Sequence, residues 1–131
     1  MKINEMIQEI HENAVNHGWW EEDRAFGELI ALCHSELSEA LEEYRNGKSM
    51  VYCEPCTNTG RPFKEHSDKR CMECLKACPT CKPEGMAVEL ADCVIRIMDM
   101  CGRYNIDLES VILQKHAYNK TRPYKHGGKV I

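Results

Sequence analysis

Two short stretches, Glu36-Leu37-Ser38-Glu39 and Glu89-Leu90-Ala91-Asp92, each place two carboxylates three residues apart in sequence that favours a helix. Residues i and i+3 of an α-helix lie side by side on one face, so each stretch can direct two carboxylates at one place. In the first run Glu36 lies on an apolar seam, between Cys33 and Ala40. The two stretches therefore predict two helices that form a core and also carry chemistry.

The second run, residues 86–101, is apolar almost all round, which is typical of a buried helix. It nevertheless carries Glu89, Asp92 and Asp99. Buried carboxylates are costly unless a proton, a cation or a metal neutralises them. The simpler alternative is that the acids are solvated or paired with bases, but few bases flank them. Those bases are Arg24, Arg45, Arg96 and Arg103.

Four carboxylates from two facing helices suit a hard divalent cation such as Mg²⁺, which prefers carboxylates, water and phosphate oxygens. The predicted ligands are Glu36, Glu39, Glu89 and Asp92. A di-iron helical bundle is the competing site, but it would require Glu-x-x-His pairs. Neither stretch is followed by a suitably spaced histidine.

Length and composition predict a single domain, residues 1–131, in a soluble cytoplasmic protein. No apolar run approaches the length of a membrane span, so we expect no membrane association. Residues 1–47 hold eleven acids and three bases, whereas residues 114–131 hold five bases and no acid. An acidic body with a basic tail favours a metal–polyphosphate ligand over a nucleic-acid duplex.

Apolar periodicity predicts an all-α protein with four helices. Helix end signals are Gly18, the Asn46-Gly47 pair and Pro123, and Asp107 is the expected N-cap of the last helix. The predicted helices cover residues 2–17, 26–46, 85–104 and 108–120. Residues 50–85 have little periodicity and are predicted to be an irregular insertion between the second and third helices.

The insertion holds six of the nine cysteines, in three Cys-x-x-Cys pairs. Thiolate pairs at this spacing predict one tetrahedral, structural Zn²⁺ bound by four of the six, with His66 as a spare ligand. An iron–sulfur arrangement is a weaker alternative. The three remaining cysteines, Cys33, Cys93 and Cys101, are predicted to be small buried hydrophobes. The zinc candidates are Cys53, Cys56, Cys71, Cys74, Cys78 and Cys81.

The order of motifs resembles the MazG-like all-α nucleoside triphosphate pyrophosphohydrolases. The matching segments are residues 34–43, residues 89–99 and residues 115–123, which lie on both sides of the insertion. The insertion is a departure from the family pattern. The resemblance implies a four-helix bundle and Mg²⁺-dependent cleavage of a (d)NTP to a (d)NMP and pyrophosphate.

The resemblance also implies roles for individual residues. Glu36, Glu39, Glu89 and Asp92 would hold Mg²⁺, and Glu39 could instead orient or deprotonate the attacking water. Asp99, further along the same helix, would support the site or add a ligand. The phosphate-binding candidates, in the last helix and just beyond it, are Lys115, Asn119 and Arg122.

Other interpretations remain open. Trp20 either packs at a corner between helices or stacks on the nucleobase. The apolar third helix needs more cover than three short helices give, which predicts a homodimer or homotetramer, in agreement with the family. The rival function is a zinc-knuckle module that binds nucleic acid or protein. Residues 51–85 hold six bases and five acids, and this balance does not favour nucleic-acid binding.

Overall fold

A computed structural model of the protein describes residues 1–53 and 82–125. Within them the chain is all-α, as predicted, with four helices and one pair of two-residue strands. Most of the predicted cysteine insertion lies outside the described residues. The elements are α1 (Ile3–Asn16), α2 (Phe26–Arg45), β1 (Tyr52–Cys53), β2 (Pro83–Glu84), α3 (Met86–Arg103) and α4 (Leu108–Lys120).

The ends of the helices follow local chemistry and confirm the predicted limits to within two residues. Gly18 and Gly47 follow α1 and α2 with φ of +83° and +64°, a left-handed conformation that suits glycine. Asp107 is the N-cap of α4, and its carboxylate accepts a hydrogen bond from the backbone N–H of Ser110 at 3.1 Å.

The described chain divides into two compact units, and the first consists of Glu22–Ile97. It contains α2, the strand pair and most of α3. Its buried apolar side chains are Leu29, Cys33, Tyr52 and Cys93. Cys33 and Cys93 are free thiols, as predicted, and their side chains are hydrogen-bonded to each other. This unit carries both carboxylate stretches.

The strand pair was not expected from the sequence. Tyr52 lies opposite Glu84 and Cys53 opposite Pro83 in an antiparallel pair. Gly85 follows β2 with a φ of +118°, and a Cβ at this position would collide with the carbonyl oxygen of Met50. A glycine is therefore needed where β2 turns into α3. We call this strand pair the neck, because it lies where the cysteine segment leaves and rejoins the helical sequence.

The second unit contains α1, the C-terminal end of α3, and α4. Its buried apolar residues are Ile7, Met98, Met100 and Cys101. Gly102 lies so close to α1 that a Cβ placed on it would be 2.5 Å from the Cβ of His11. No side chain of α4 is buried.

The prediction that α3 is buried on all sides is correct only near its C-terminal end, where residues 98–101 are all buried. Along residues 86–97 the helix is one-sided. Glu89 and Cys93 are buried, whereas Leu90, Val94 and Ile95 are 44–50% exposed. We call these three residues the apolar back of α3. None of the helices in the described part of the chain is long and apolar enough to cross a membrane.

Candidate metal centre

Three of the four predicted metal ligands meet in the unit formed by Glu22–Ile97. Glu36 is on the buried face of α2, and Glu89 and Asp92 are one turn apart near the start of α3. One carboxylate oxygen from each of the three lies within 4.8 Å of the others. Residues 53 positions apart thus form one carboxylate group, as the two stretches predicted.

Glu39 lies at the edge of this group. It is exposed on α2, and its side chain is hydrogen-bonded to that of Glu89. Glu39 is therefore attached to the group through Glu89 but remains open to solvent.

Arg96 supplies the positive charge nearest to the group. Arg96 lies one turn beyond Asp92 on α3, and its Nε donates a hydrogen bond to Oε1 of the buried Glu36. The sequence analysis left open that the acids are paired with bases, and for Glu36 this interpretation is correct. It does not extend to Glu89, which makes no ion pair with a Lys, Arg or His in residues 1–53 or 82–125.

Burial raises the pKa of Glu89 to about 7, and the hydrogen bond to Glu39 and the charges of Glu39, Asp92 and Glu36 act in the same direction. Burial also raises the pKa of Asp92, with a further increase from the charge of Glu36 that the nearby Arg96 partly offsets. Both carboxyls hold protons more tightly than usual because they are buried and because their negative charges are crowded. A cation placed among them would remove this repulsion.

Glu89 also belongs to a second group of carboxylates. Glu43, Glu84 and Glu89 form another group whose oxygens lie within 4.8 Å of one another. The buried Tyr52 donates its hydroxyl to Glu43, 2.9 Å from each carboxylate oxygen. Lys82 Nζ lies 2.8 Å from Glu84 Oε1. Glu43 and Glu84 were not predicted as site residues.

The donor set is made entirely of carboxylates, without a histidine or a cysteine. Such hard oxygen donors suit Mg²⁺, Mn²⁺ or Ca²⁺ and are poorly matched to softer metals. Glu89 is buried without a cationic partner in the described chain, so the residues present fit a divalent cation. A phosphate-bearing ligand could complete the coordination of an ion held here.

The predicted substrate-binding residues belong to the other unit. Lys115 and Asn119 are exposed on α4, and Arg122 is half-buried just beyond it. Lys115 Nζ lies over the ring of Tyr118, 4.8 Å from its centroid. Trp20 is half-buried, with the guanidinium of Arg103 5.0 Å from its ring centroid. Their role with a substrate stays a prediction.

Asp99 has partners that the sequence did not assign. Its Oδ1 accepts from Trp20 Nε1 at 2.9 Å and lies 2.7 Å from His11 Nδ1. His11 also lines a cleft of about 400 Å³ between α1 and the region around Gly102. The histidine lies next to Ile7 and Ile10 in the apolar pattern of α1, a signal that could have indicated a buried partner. Asp99 belongs to neither carboxylate group.

The predicted zinc ligands cannot be placed in the same way. Cys56, Cys71, Cys74, Cys78 and Cys81, together with His66, lie outside the described residues, and for Cys53 only the backbone in β1 is described. The zinc site therefore stays a prediction.

Comparison with known proteins adds no relative to these observations. A scan against protein-family models, a search of curated proteins and a search of solved structures each gave no match. The resemblance to the MazG-like family thus depends on the motifs in this sequence alone.

Proposed function

We propose that the protein is a Mg²⁺-dependent nucleoside triphosphate pyrophosphohydrolase that converts a (d)NTP to a (d)NMP and pyrophosphate. The observation that carries this proposal is the convergence of Glu36, Glu89 and Asp92 within 4.8 Å. The resemblance supplies the reaction, because the same residues are those that the family motif assigns to Mg²⁺. The family's four-helix bundle is part of the same proposal.

In this mechanism Glu36, Glu89 and Asp92 would hold Mg²⁺, which would supply charge neutralisation at the phosphate oxygens. Arg96 holds Glu36 in place by donating to its Oε1. Glu39 is open to solvent at the edge of this group, so it is suited to orient a water molecule and accept its proton. That water cleaves the anhydride between the α- and β-phosphates.

The basic end of α4 would supply the remaining phosphate contacts. Lys115 and Arg122 carry positive charge and Asn119 carries an amide, groups that bind phosphate oxygens. Lys115 and Asn119 are exposed, so their side chains are accessible to a ligand. Trp20 is the candidate for stacking on the nucleobase.

The experiment that tests this function is a product analysis. The purified chain is incubated with Mg²⁺ and each (d)NTP in turn, including nucleotides with modified bases, and the products are separated by ion-exchange chromatography. Monophosphate and pyrophosphate are expected. Diphosphate with orthophosphate, or no turnover of any nucleotide, would contradict the proposal.

We also propose that the chain forms a homodimer or homotetramer through the apolar back of α3. Leu90, Val94 and Ile95 are exposed on the helix side opposite Glu89, and covering such a surface favours association. Light scattering at micromolar concentration is expected to give the mass of two or four chains for the wild type. The double variant Val94→Asp, Ile95→Asp is expected to give a lower mass. Ala31→Asp, at an exposed position of α2, is the control. A wild-type monomer would refute the prediction.

We further propose that the cysteine segment holds a structural Zn²⁺. A closed all-thiolate site leaves no position for substrate, and a segment without an apolar face depends on metal for its order. Replacing Cys53 and Cys56 with Ser is expected to release zinc and create protease cleavage within residues 50–85. Helical circular dichroism and Mg²⁺-dependent hydrolysis should persist. Loss of turnover with intact helices and intact assembly would place the zinc in the active site.

A further inference from the structure

Two buried thiols meet between α2 and α3. Cys33 of α2 and Cys93 of α3 are each 7% exposed, and their side chains are hydrogen-bonded to each other. Both are free thiols, and the proposed mechanism uses neither of them. Packing between two helices requires only small apolar side chains, so a facing pair of thiols also offers a chemistry that packing does not use.

The thiol pair is one turn from the metal centre on both helices. Glu36 follows Cys33 by three residues on the buried face of α2, and Glu89 precedes Cys93 by four residues on α3, where both are buried. Residues at these spacings are neighbours on one helix face. Cys33 also lies close enough to Arg96 and Glu36 for their charges to act on its thiol. A change in the spacing of the two sulfurs would therefore reach the carboxylates.

We propose that Cys33 and Cys93 form a reversible disulfide, which joins α2 to α3 and weakens the binding of a divalent cation by Glu36, Glu89 and Asp92. The two thiols are already in hydrogen-bond contact, so the reaction does not have to bring distant parts of the chain together. The effect on the cation rests on the proposed metal centre, whereas the disulfide itself can be measured without metal or nucleotide.

Hydrogen peroxide is the oxidant in this reaction, because it is small enough to reach sulfurs that are largely buried. One thiol sulfur attacks a peroxide oxygen and the O–O bond breaks, which gives a sulfenic acid and water. The second sulfur then attacks the sulfenic sulfur, forms the S–S bond and releases another water. Two electrons pass from the thiols to the peroxide, and both thiol protons leave in the water. A dithiol reductant reverses the reaction by thiol–disulfide exchange.

The new bond acts on the carboxylates through the two helices. A disulfide holds its sulfur atoms about 2.05 Å apart, much closer than two hydrogen-bonded thiols. The core is close-packed, so this difference is taken up by movement of α2 against α3 as well as by rotation of the side chains. Mg²⁺ demands nearly octahedral geometry, and a changed distance between Glu36 and Glu89 lowers its affinity. The thiol pair thus makes cation binding sensitive to oxidation.

The test treats the zinc-loaded chain with hydrogen peroxide, blocks the remaining thiols in denaturant and maps the disulfides by mass spectrometry. Cleavage after Glu and Arg isolates Cys33 in residues 29–36 and Cys93 in residues 90–96, apart from every other cysteine. These two peptides are expected to be linked, and dithiothreitol should separate them. The affinity for Mn²⁺, measured by electron paramagnetic resonance without nucleotide, should fall at least about 10-fold on oxidation and recover on reduction.

Cys33→Ala and Cys93→Ala should each lose the link and keep their affinity for Mn²⁺ in peroxide. Cys101→Ala is the matched control, because it removes a buried free thiol of the other unit, and it should behave as the wild type does. Absence of the linked peptides, an unchanged Mn²⁺ affinity in the oxidised wild type, or the same loss of affinity in both Cys33→Ala and Cys93→Ala would overturn the proposal.

The outcome for this inference is distinguishable from the outcome for the proposed function. If the link forms and weakens Mn²⁺ binding but no nucleotide is hydrolysed, the proposed function fails and the disulfide stands. If nucleotide is hydrolysed to monophosphate and pyrophosphate but peroxide produces no link, the disulfide fails and the function stands.

Discussion

Replacing Asp92 with Asn is expected to lower the rate of pyrophosphate release at least about 100-fold at saturating Mg²⁺. The substitution removes one negative charge from the group of Glu36, Glu89 and Asp92 and keeps the size of the side chain. The fold should survive, because Asp92 is only half-buried and Asn has nearly the same shape. Glu39→Gln should have a comparable effect, through loss of the proton acceptor.

Turnover is measured by pyrophosphate release, with circular dichroism and thermal unfolding recorded on the same samples. Glu42→Gln removes the same charge as Glu39→Gln from the same helix, outside both carboxylate groups, and should retain near-normal turnover. The metal-free Asp92→Asn protein should be at least as stable as the wild type, because fewer like charges are crowded together. Near-normal turnover in both Glu39→Gln and Asp92→Asn would remove these residues from the active site.

The stability of the Mg²⁺-free protein is expected to fall as the pH rises from 5 to 8. Burial raises the pKa of Glu89 from 4.5 to about 7, so the folded state holds this proton more tightly than the unfolded state. The stabilisation is complete below pH 4.5 and is lost as the pH passes through about 7. The expected decrease in the free energy of unfolding is about 1–3 kcal/mol. The raised pKa of Asp92 acts in the same direction.

Urea unfolding of the zinc-loaded protein at several pH values measures this decrease. Glu89→Gln, which mimics the protonated side chain, should give a flatter profile and greater stability at pH 8. Adding Mg²⁺ at pH 8 should stabilise the wild type more than this variant. Asp107 provides no competing signal, because hydrogen bonds from Asn4 and Ser110 lower its pKa, and its contribution is lost only in more acidic solution. Parallel profiles for wild type and Glu89→Gln would contradict the prediction.

The helices could be predicted because their signals are local. Apolar spacing indicated the extent of α1 and α2, and Gly18, Gly47 and the N-cap Asp107 marked ends whose backbone geometry suits those residue types. The neck gave no such signal, since two paired residues on each side have no periodicity. The exposed apolar back of α3 could not be distinguished from a buried face by composition, because apolar residues surround the whole helix.

The group formed by Glu36, Glu89 and Asp92 could be predicted where its members follow helical spacing. Glu89 and Asp92 are one turn apart, and Glu36 lies on the apolar seam of α2. Glu84 was missed because it lies in the segment assigned to the insertion, and only the strand pairing brings it to the site. Arg96 was recognised as a nearby base. Its pairing with Glu36 could not be predicted, because it depends on how α2 and α3 face each other.

The close approach at Gly102 makes two distant positions depend on each other in any set of variants. A methyl group at position 102 would be 2.5 Å from the Cβ of His11, and even alanine at position 11 retains that Cβ. Only glycine at position 11 would make room, and it would remove the ring that bonds Asp99. Positions 11 and 102 should therefore covary among sequences of this fold, with histidine at one allowed only where glycine occupies the other.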